Sequence, residues 1–168
     1  SRFDEERGGR AHFTEHCLAN SAAPDGMPLE LQLERIGAEF EAGTQRDYMH
    51  FGATSMPWDL PLVLGALGAI CSRPELGHEI AEREKSIIRH EQLRYRDGIG
   101  GLWDALFQGL WEDHPLLPPA VGGAEVSALS SEDALDHWHR LVRPERAILA
   151  VVGNLDCDEL ASAAEVAL

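Results

Sequence analysis

The sequence predicts an α+β fold, with helices packed on one face of a mainly antiparallel sheet. Apolar residues recur at helical spacing in several segments, and two short stretches alternate as the strands of a β-hairpin do. A length of 168 residues with 44% hydrophobic content is sufficient for one hydrophobic core. We therefore expect a single domain over residues 1–168.

The first half of the chain is expected to form three helices and the hairpin. Apolar residues from Ala11 to Leu18 indicate a helix of about three turns, and "LELQLERIG" indicates a second helix that Gly37 ends. The stretches "AEFEAGT" and "DYMHFGATSM" alternate around a polar turn, which is typical of a hairpin. The nearly apolar run after Asp59 predicts a buried helix that stops before Pro74.

The second half is expected to form three further helices, a strand and a helix at the end of the sequence. The charged run 75–97 has a narrow apolar face with Ile80, Ile87 and Ile88, so it predicts a long helix. "GIGGLWDALFQGLW" and the serine-capped "SSEDALDHWHRLV" predict two more, separated by the extended, proline-rich "EDHPLLPPAVGG". "RAILAVVGN" reads as a buried strand, a helix follows from Asp156, and the four tryptophans are expected in the core.

Composition excludes several classes of function. The formal net charge of −15 repels phosphate backbones and anionic lipid, so we expect neither nucleic acid nor membrane as a partner. The three cysteines are far apart and form no CxxC pair, which favours a reducing compartment. The sequence begins with charged residues and contains no long apolar run, so the expected location is the cytoplasm.

The segment "RAHFTEH" carries the residues best suited to chemistry. On a helix, His12 and His16 lie one turn apart and can direct both imidazoles at one metal ion. Two imidazoles suit Zn²⁺, and a catalytic zinc site needs one more protein ligand and a position for water. Glu15 lies about 100° around the helix from His16, which suits a general base that acts on that water. The alternative is a histidine pair on an ordinary polar helix.

A third ligand should be a carboxylate or a histidine on another element. The helix that contains "EREKSIIRHE" offers Glu84 and Glu91, which are seven residues apart and so lie along one face. His50 and His90 are weaker candidates, since His90 points about 100° away from Glu91 on its helix. The spacing alone leaves Glu84 and Glu91 both open as the third ligand.

The order of several motifs resembles that of one peptidase family. "GGRAHFTEH", "LERIGAEFEAGT", "EREKSIIRHE", "HPLLPPAVGG" and "LVRPERAILAVVGNLD" follow one another as in the pitrilysin/insulinase family of zinc metallopeptidases, the inverzincins, which include mitochondrial processing peptidase. The resemblance covers nearly the whole chain. In that family the third zinc ligand follows the second histidine at a nearly fixed spacing, which Glu91 meets at 75 positions after His16.

The resemblance implies roles for further residues. Glu84 matches a supporting acid of the family, one heptad before the third ligand. An extended peptide substrate is expected to pair with an edge strand that corresponds here to Ala38, Glu39, Phe40, Glu41, Ala42, Gly43 and Thr44. Glu41 stands where the family usually carries asparagine.

The resemblance also implies that the domain over residues 1–168 is incomplete at one or both ends and that this chain does not act alone. Active members pair the domain with a homologous second one, which closes over the site and supplies groups that stabilise the oxyanion. We therefore expect a zinc-dependent endopeptidase with a homologous partner subunit or domain. Some family members keep the fold without cutting, so the alternative is a non-catalytic, peptide-binding subunit of a paired complex. The sequence does not separate dedicated processing of one peptide from general peptide turnover.

Overall fold

The computed structural model describes residues 8–21, 27–72, 74–111, 114, 117 and 121–167. Within these ranges the α-helices are α1 (Arg10–Ala19), α2 (Leu29–Arg35), α3 (Leu60–Ser72), α4 (His78–Asp97), α5 (Ile99–Leu110), α6 (Ser131–Leu141) and α7 (Cys157–Ala167). The strands are β1 (Glu39–Thr44) and β2 (Met49–Thr54), and short 3-10 helices span Pro57–Asp59, Ala124–Ala128 and Pro144–Arg146. The predicted α+β class is confirmed.

The two strands form the predicted hairpin. They pair antiparallel, with Glu39 opposite Thr54 and Thr44 opposite Met49. The backbone N–H of Gln45 donates a hydrogen bond of 2.8 Å to the Tyr48 carbonyl and so closes the connecting turn. In the described part of the chain the sheet consists of these two strands, so β1 has no described strand along its second edge.

The helix α1 lies at the centre of the fold, where it packs against α4, α6 and β1. Phe13, Cys17 and Leu18 are fully buried. Because neighbours surround α1 on several sides, the polar residues His12 and Glu15 are buried as well.

The helix α4 buries one narrow face against this centre. It begins three residues after Glu75, the expected start, since the glycine in front of it has an extended backbone. Ala81, Glu84 and Ile88 form the buried face, at the spacing i, i+3, i+7. Ile87 lies one position off this stripe and is 41% exposed, so the expected apolar face is narrower than the sequence indicates.

The helix α6 starts with the serine cap that the sequence predicts. The Ser130 hydroxyl accepts a hydrogen bond from the Asp133 backbone N–H at 3.2 Å, and the Asp133 carboxylate accepts one from the Ser130 backbone N–H at 3.0 Å. Asp133 also accepts a contact of 3.4 Å from Arg10 at the start of α1. Further along α6, the Trp138 indole donates to the Ile70 carbonyl of α3 at 2.8 Å. These bonds fix α6 against both α1 and α3.

The predicted buried strand at "RAILAVVGN" is wrong. Residues 147–152 form no strand, and Ile148 and Val152 are 94% and 100% exposed. A strand requires hydrogen bonds from a neighbouring strand, and in the described ranges β1 and β2 pair only with each other. The apolar, β-branched composition that favours a strand is therefore present without a partner strand among the described residues.

The prediction that the tryptophans are buried is correct for Trp138 alone. Trp58, Trp103 and Trp111 are 74%, 50% and 42% exposed. On α5 and the residue that follows it, Trp103, Phe107 and Trp111 occur at the spacing i, i+4, and their rings stack with centroids 6.0 and 5.1 Å apart. These aromatic rings shield one another on the helix surface instead of entering the core.

The extended connection predicted at residues 112–123 falls largely outside the described residues. Its last part, from Val121, forms a turn in which Gly122 has a φ of 70°. Among the helices that the structure describes, none combines the length and the apolar character needed to cross a bilayer.

Replacing Gly9 by alanine should destabilise the fold by about 2–4 kcal/mol. Gly9 precedes α1 with a φ of 84°, and an added Cβ would lie 2.6 Å from Cγ2 of Val126 and 2.9 Å from Cα of Gly122. Both the left-handed backbone and the crowding raise the free energy of the folded state. Urea unfolding, monitored by circular dichroism, measures this change.

The matched control is Gly65→Ala in α3, where an added Cβ meets no atom within 4 Å. Alanine in a helix interior is favoured over glycine by roughly 0.5–1 kcal/mol, so this variant should be slightly more stable than the wild type. Equal unfolding midpoints for the two variants would contradict the role assigned to Gly9.

Candidate metal centre

Two histidines on α1 point to a common position. His12 and His16 are one turn apart, and their Nε2 atoms lie 3.1 Å from each other. The rings meet edge to face, with centroids 4.6 Å apart and planes at 87°. The helix thus brings two imidazole nitrogens together as the sequence predicts.

Glu91 joins the two histidines from α4. Its Oε2 lies 3.4 Å from Nε2 of His12 and 3.2 Å from Nε2 of His16. The three atoms form a nearly regular triangle. Zinc with bonds of about 2.1 Å in a tetrahedral site places its ligand atoms about 3.4 Å apart. Two imidazoles and a carboxylate at these separations are a donor set that fits zinc.

Glu15 lies beside this triangle and not within it. Its Oε2 is 4.0 Å from Nε2 of His12, longer than either contact of Glu91. His12, Glu15 and His16 can also bring ligand atoms within 4.8 Å of one another, but the shorter distances favour Glu91 as the third ligand. The Thr44 hydroxyl at the end of β1 donates to Oε2 of Glu15 at 3.2 Å. Glu15 is therefore held next to the candidate metal position, where water would be within its reach.

Glu84 contacts the far side of the His16 ring. Its Oε2 accepts a hydrogen bond of 3.0 Å from Nδ1 of His16, and only 1% of the side chain is exposed. A proton on Nδ1 leaves the lone pair of Nε2 available for a metal. The two acids that the sequence leaves open as third ligand thus take different positions: Glu91 at Nε2 of His16 and Glu84 at Nδ1.

Burial and neighbouring charges shift the protonation of the site. Burial is the main cause that raises the pKa of Glu15, against the lowering effects of His16 and Thr44. Burial also acts to lower the pKa of His16, but hydrogen bonds with Glu84 and Glu91 and nearby carboxylate charges outweigh it and raise the pKa to about 10. The hydrogen bond from His16 lowers the pKa of Glu91. Without metal, this cluster holds a proton on His16 at neutral pH.

The predicted substrate strand runs past the site. Ala38 is buried just before β1, and Thr44, at the other end, contacts Glu15. A cavity of about 340 Å³ lies between β1, α1 and α4, and its lining includes Phe40, Ala42, Glu15 and His16. The remaining members of the predicted segment, Glu39, Glu41 and Gly43, belong to the same strand.

The two weaker ligand candidates lie elsewhere. His90 is exposed and donates from Nδ1 to the Ser86 carbonyl at 2.8 Å, and His50 packs against Tyr48 on the hairpin. Sequence reasoning missed two residues that contact the site, Arg83 and Asn20. Asn20 follows His16 by four positions, a helical spacing that could have indicated a contact, whereas no spacing rule indicates that Arg83 turns back onto Glu84.

Known sequences resemble this chain over most of its length. An "uncharacterized zinc protease" of Mycobacterium leprae is 28% identical over 155 residues, which are 90% of this chain and 35% of that protein. The β subunit of human mitochondrial-processing peptidase is 28% identical over 164 residues, which are 95% of this chain and 34% of that subunit. This chain thus spans about a third of the length of these relatives.

A solved structure supports the same fold. The periplasmic protease PqqL from Escherichia coli superposes with a TM-score of 0.85 over 95% of this chain and 19% of that protein, at 18% identity. The sequence model of the insulinase family, peptidase family M16, matches residues 1–108 and so includes α1 and α4 with their histidines and acids. Since this match extends over more than half of the residues, the chain belongs to the insulinase family of peptidases.

Proposed function

We propose that this chain carries the zinc site of an endopeptidase that hydrolyses extended peptides. The observation that carries the proposal is the convergence of His12 Nε2, His16 Nε2 and Glu91 Oε2 within 3.1–3.4 Å of one another. In this proposal these three residues hold zinc, Glu15 is the catalytic base, and Glu84 supports His16. Zinc bound at this site would act as a Lewis acid, which lowers the pKa of water and polarises a peptide carbonyl.

Glu15 is suited to move the proton. It lies 4.0 Å from Nε2 of His12, on the edge of the ligand triangle. Burial raises the pKa of Glu15, which brings it closer to the working pH, where a carboxylate can both accept and return a proton. The Thr44 hydroxyl fixes one carboxylate oxygen, so the carboxylate keeps one orientation. Glu15 takes a proton from the attacking water and delivers it to the leaving amine, and a peptide bond is hydrolysed.

The substrate is proposed to bind as an added strand along β1, over Ala38–Thr44. Backbone pairing of this kind binds many sequences in an extended form and needs few side-chain contacts. Two observations support this proposal. No described strand lies along the second edge of β1, and Thr44, the last residue of β1, contacts the proposed base Glu15. A peptide aligned with β1 would therefore pass directly beside Glu15.

We further propose that the chain is one domain of a paired peptidase. It covers about a third of the relatives' length, and one of those relatives is by name a subunit. A homologous second domain or subunit would cover the site and add groups that stabilise the oxyanion.

The cysteines are all free, with Cys71 and Cys157 exposed, which favours a reducing compartment such as the cytoplasm.

Replacing Glu91 by glutamine should remove most zinc affinity. The amide keeps the shape of the side chain but loses the charge that balances the metal, so the loss should exceed the roughly 10–100-fold effect of removing an outer partner. Zinc content after dialysis and competition with a chromophoric chelator measure it. Glu82→Gln, an exposed change on the same helix, is the control. Full affinity in Glu91→Gln would refute the ligand assignment, and a wild type without zinc would favour the binding-subunit alternative.

Replacing Glu15 by glutamine should lower peptide hydrolysis by about 10²–10⁴-fold while zinc content stays at the wild-type level. The amide cannot accept the proton of water, although it preserves the size of the side chain. Hydrolysis of an unstructured, quenched fluorescent peptide by the intact protein, with and without chelator, is the measurement. Glu34→Gln on the exposed face of α2 should leave the rate unchanged. Activity that survives in Glu15→Gln rules out this residue as the base.

Zinc binding near neutral pH should release roughly one proton from the metal-free protein, because the ion displaces the proton on His16. Calorimetric titration in two buffers of different ionisation enthalpy measures this number. The raised pKa of His16 also stabilises the metal-free fold fully below about 6.5, and this contribution is lost as pH rises through about 10. A binding heat that is independent of the buffer would contradict the assigned protonation.

A further inference from the structure

The Glu84 carboxylate is buried with a partner on each oxygen. Oε2 accepts from Nδ1 of His16 at 3.0 Å, and Oε1 accepts from Nε of Arg83 at 2.9 Å. Only 1% of the Glu84 side chain is exposed, and a carboxylate at such a position is strongly destabilised unless a cation and hydrogen bonds compensate it. Arg83 supplies a guanidinium that keeps its positive charge.

The contact between Arg83 and Glu84 is not a product of helical spacing. Adjacent residues on a helix point about 100° apart, so the Arg83 side chain has to turn back to reach its neighbour. A second bond holds it in this position, from Nη2 of Arg83 to Oδ1 of Asn20 at 2.9 Å. Asn20 is the residue that follows α1, so the guanidinium links α4 to the end of the helix that carries the histidines.

Asn20 completes a closed ring of hydrogen bonds. Its side-chain amide donates to the His16 carbonyl at 3.2 Å. The ring therefore runs from the His16 imidazole through Glu84, Arg83 and Asn20 back to the His16 main chain. It fixes the imidazole relative to the backbone of the same residue, and it does so on the side opposite to His12 and Glu91.

We propose that Arg83 and Asn20 are positioning residues, an inference that rests on the proposed zinc site. They fix the Glu84 carboxylate and so keep Nε2 of His16 turned toward the metal. Arg83 touches neither the ligand triangle nor the proposed base among the described contacts. Without this guanidinium, Glu84 loses one compensating charge and the hydrogen bond to one of its two oxygens. The proton on Nδ1 of His16 and the orientation of the imidazole are then less well defined.

The test compares metal binding by Arg83→Ala, Arg83→Lys and Arg89→Ala in the intact protein. Removal of a residue that orients a metal ligand lowers metal affinity by about 10–100-fold, and we expect this for Arg83→Ala in competition with a chromophoric chelator. The visible absorption spectrum of bound Co²⁺ should change in the same variant. Arg83→Lys should recover part of the affinity, since an ammonium can pair with Glu84 but cannot form the planar double contact. Arg89→Ala removes the same charge from an exposed position of α4 and should match the wild type.

Asn20→Ala provides an independent arm. It should weaken zinc binding in the same direction, and the double variant with Arg83→Ala should lose less than the product of the two single effects, because both changes open one ring. Thermal unfolding of the metal-free variants separates positioning from folding: a purely structural Arg83 would lower the melting temperature and leave the Co²⁺ spectrum of the folded protein unchanged.

The outcomes distinguish this inference from the proposed function. If the wild type binds zinc and Arg83→Ala binds it with equal affinity and an unchanged Co²⁺ spectrum, the positioning role is overturned and the zinc site stands. If Arg83→Lys behaves as Arg83→Ala and Asn20→Ala has no effect, the closed ring is likewise refuted. If the wild type binds no zinc, both proposals fail.

Discussion

The burial of α1 is the constraint from which the arrangement of the site follows. This helix packs against α4, α6 and β1, yet it carries His12, Glu15 and His16 on its buried surface. Polar groups that lose water on folding need partners inside the protein. These residues contact one another and acidic residues of α4. The contacts that pack α1 in the core therefore also assemble the cluster. A shift of α4 against α1 would separate Glu91 from both histidines.

The hairpin couples the proposed base to the proposed substrate strand. Thr44 ends β1 and holds Glu15. At the same end of the hairpin, Arg46 in the turn pairs with Asp104 of α5 at 2.6 Å and lies 4.5 Å from the centre of the Phe107 ring. A partly buried ion pair with an aromatic neighbour restrains the turn more than an exposed pair could. The position of the β1 edge is thereby tied to α5 as well as to α1.

Local patterns in the sequence were enough for most helices, the hairpin and the histidine pair, because each depends on residues a few positions apart. The proposed third ligand is different, because its choice depends on contacts between two helices. Spacing placed Glu84 and Glu91 on one face, and only the approach of α4 to α1 decides that one reaches Nδ1 and the other Nε2 of His16. The family resemblance carried that choice. The contact of Thr44 with Glu15 joins separate elements, so no periodicity could indicate it. Composition at 147–152 indicated a tendency toward strand, but a tendency does not supply the neighbour that a strand needs.

The exposed stretch at 147–152 has a consequence for handling the protein. Ile148 and Val152 face water almost completely, within a run of apolar residues that has no charge and no proline. No strand in the described part of the chain pairs with this stretch. Backbone of this composition without a partner strand can pair with another molecule and start aggregation. If no partner covers this stretch, the rate of aggregation should rise with protein concentration. A lysine introduced there should reduce aggregation, because a charge opposes the pairing of identical strands.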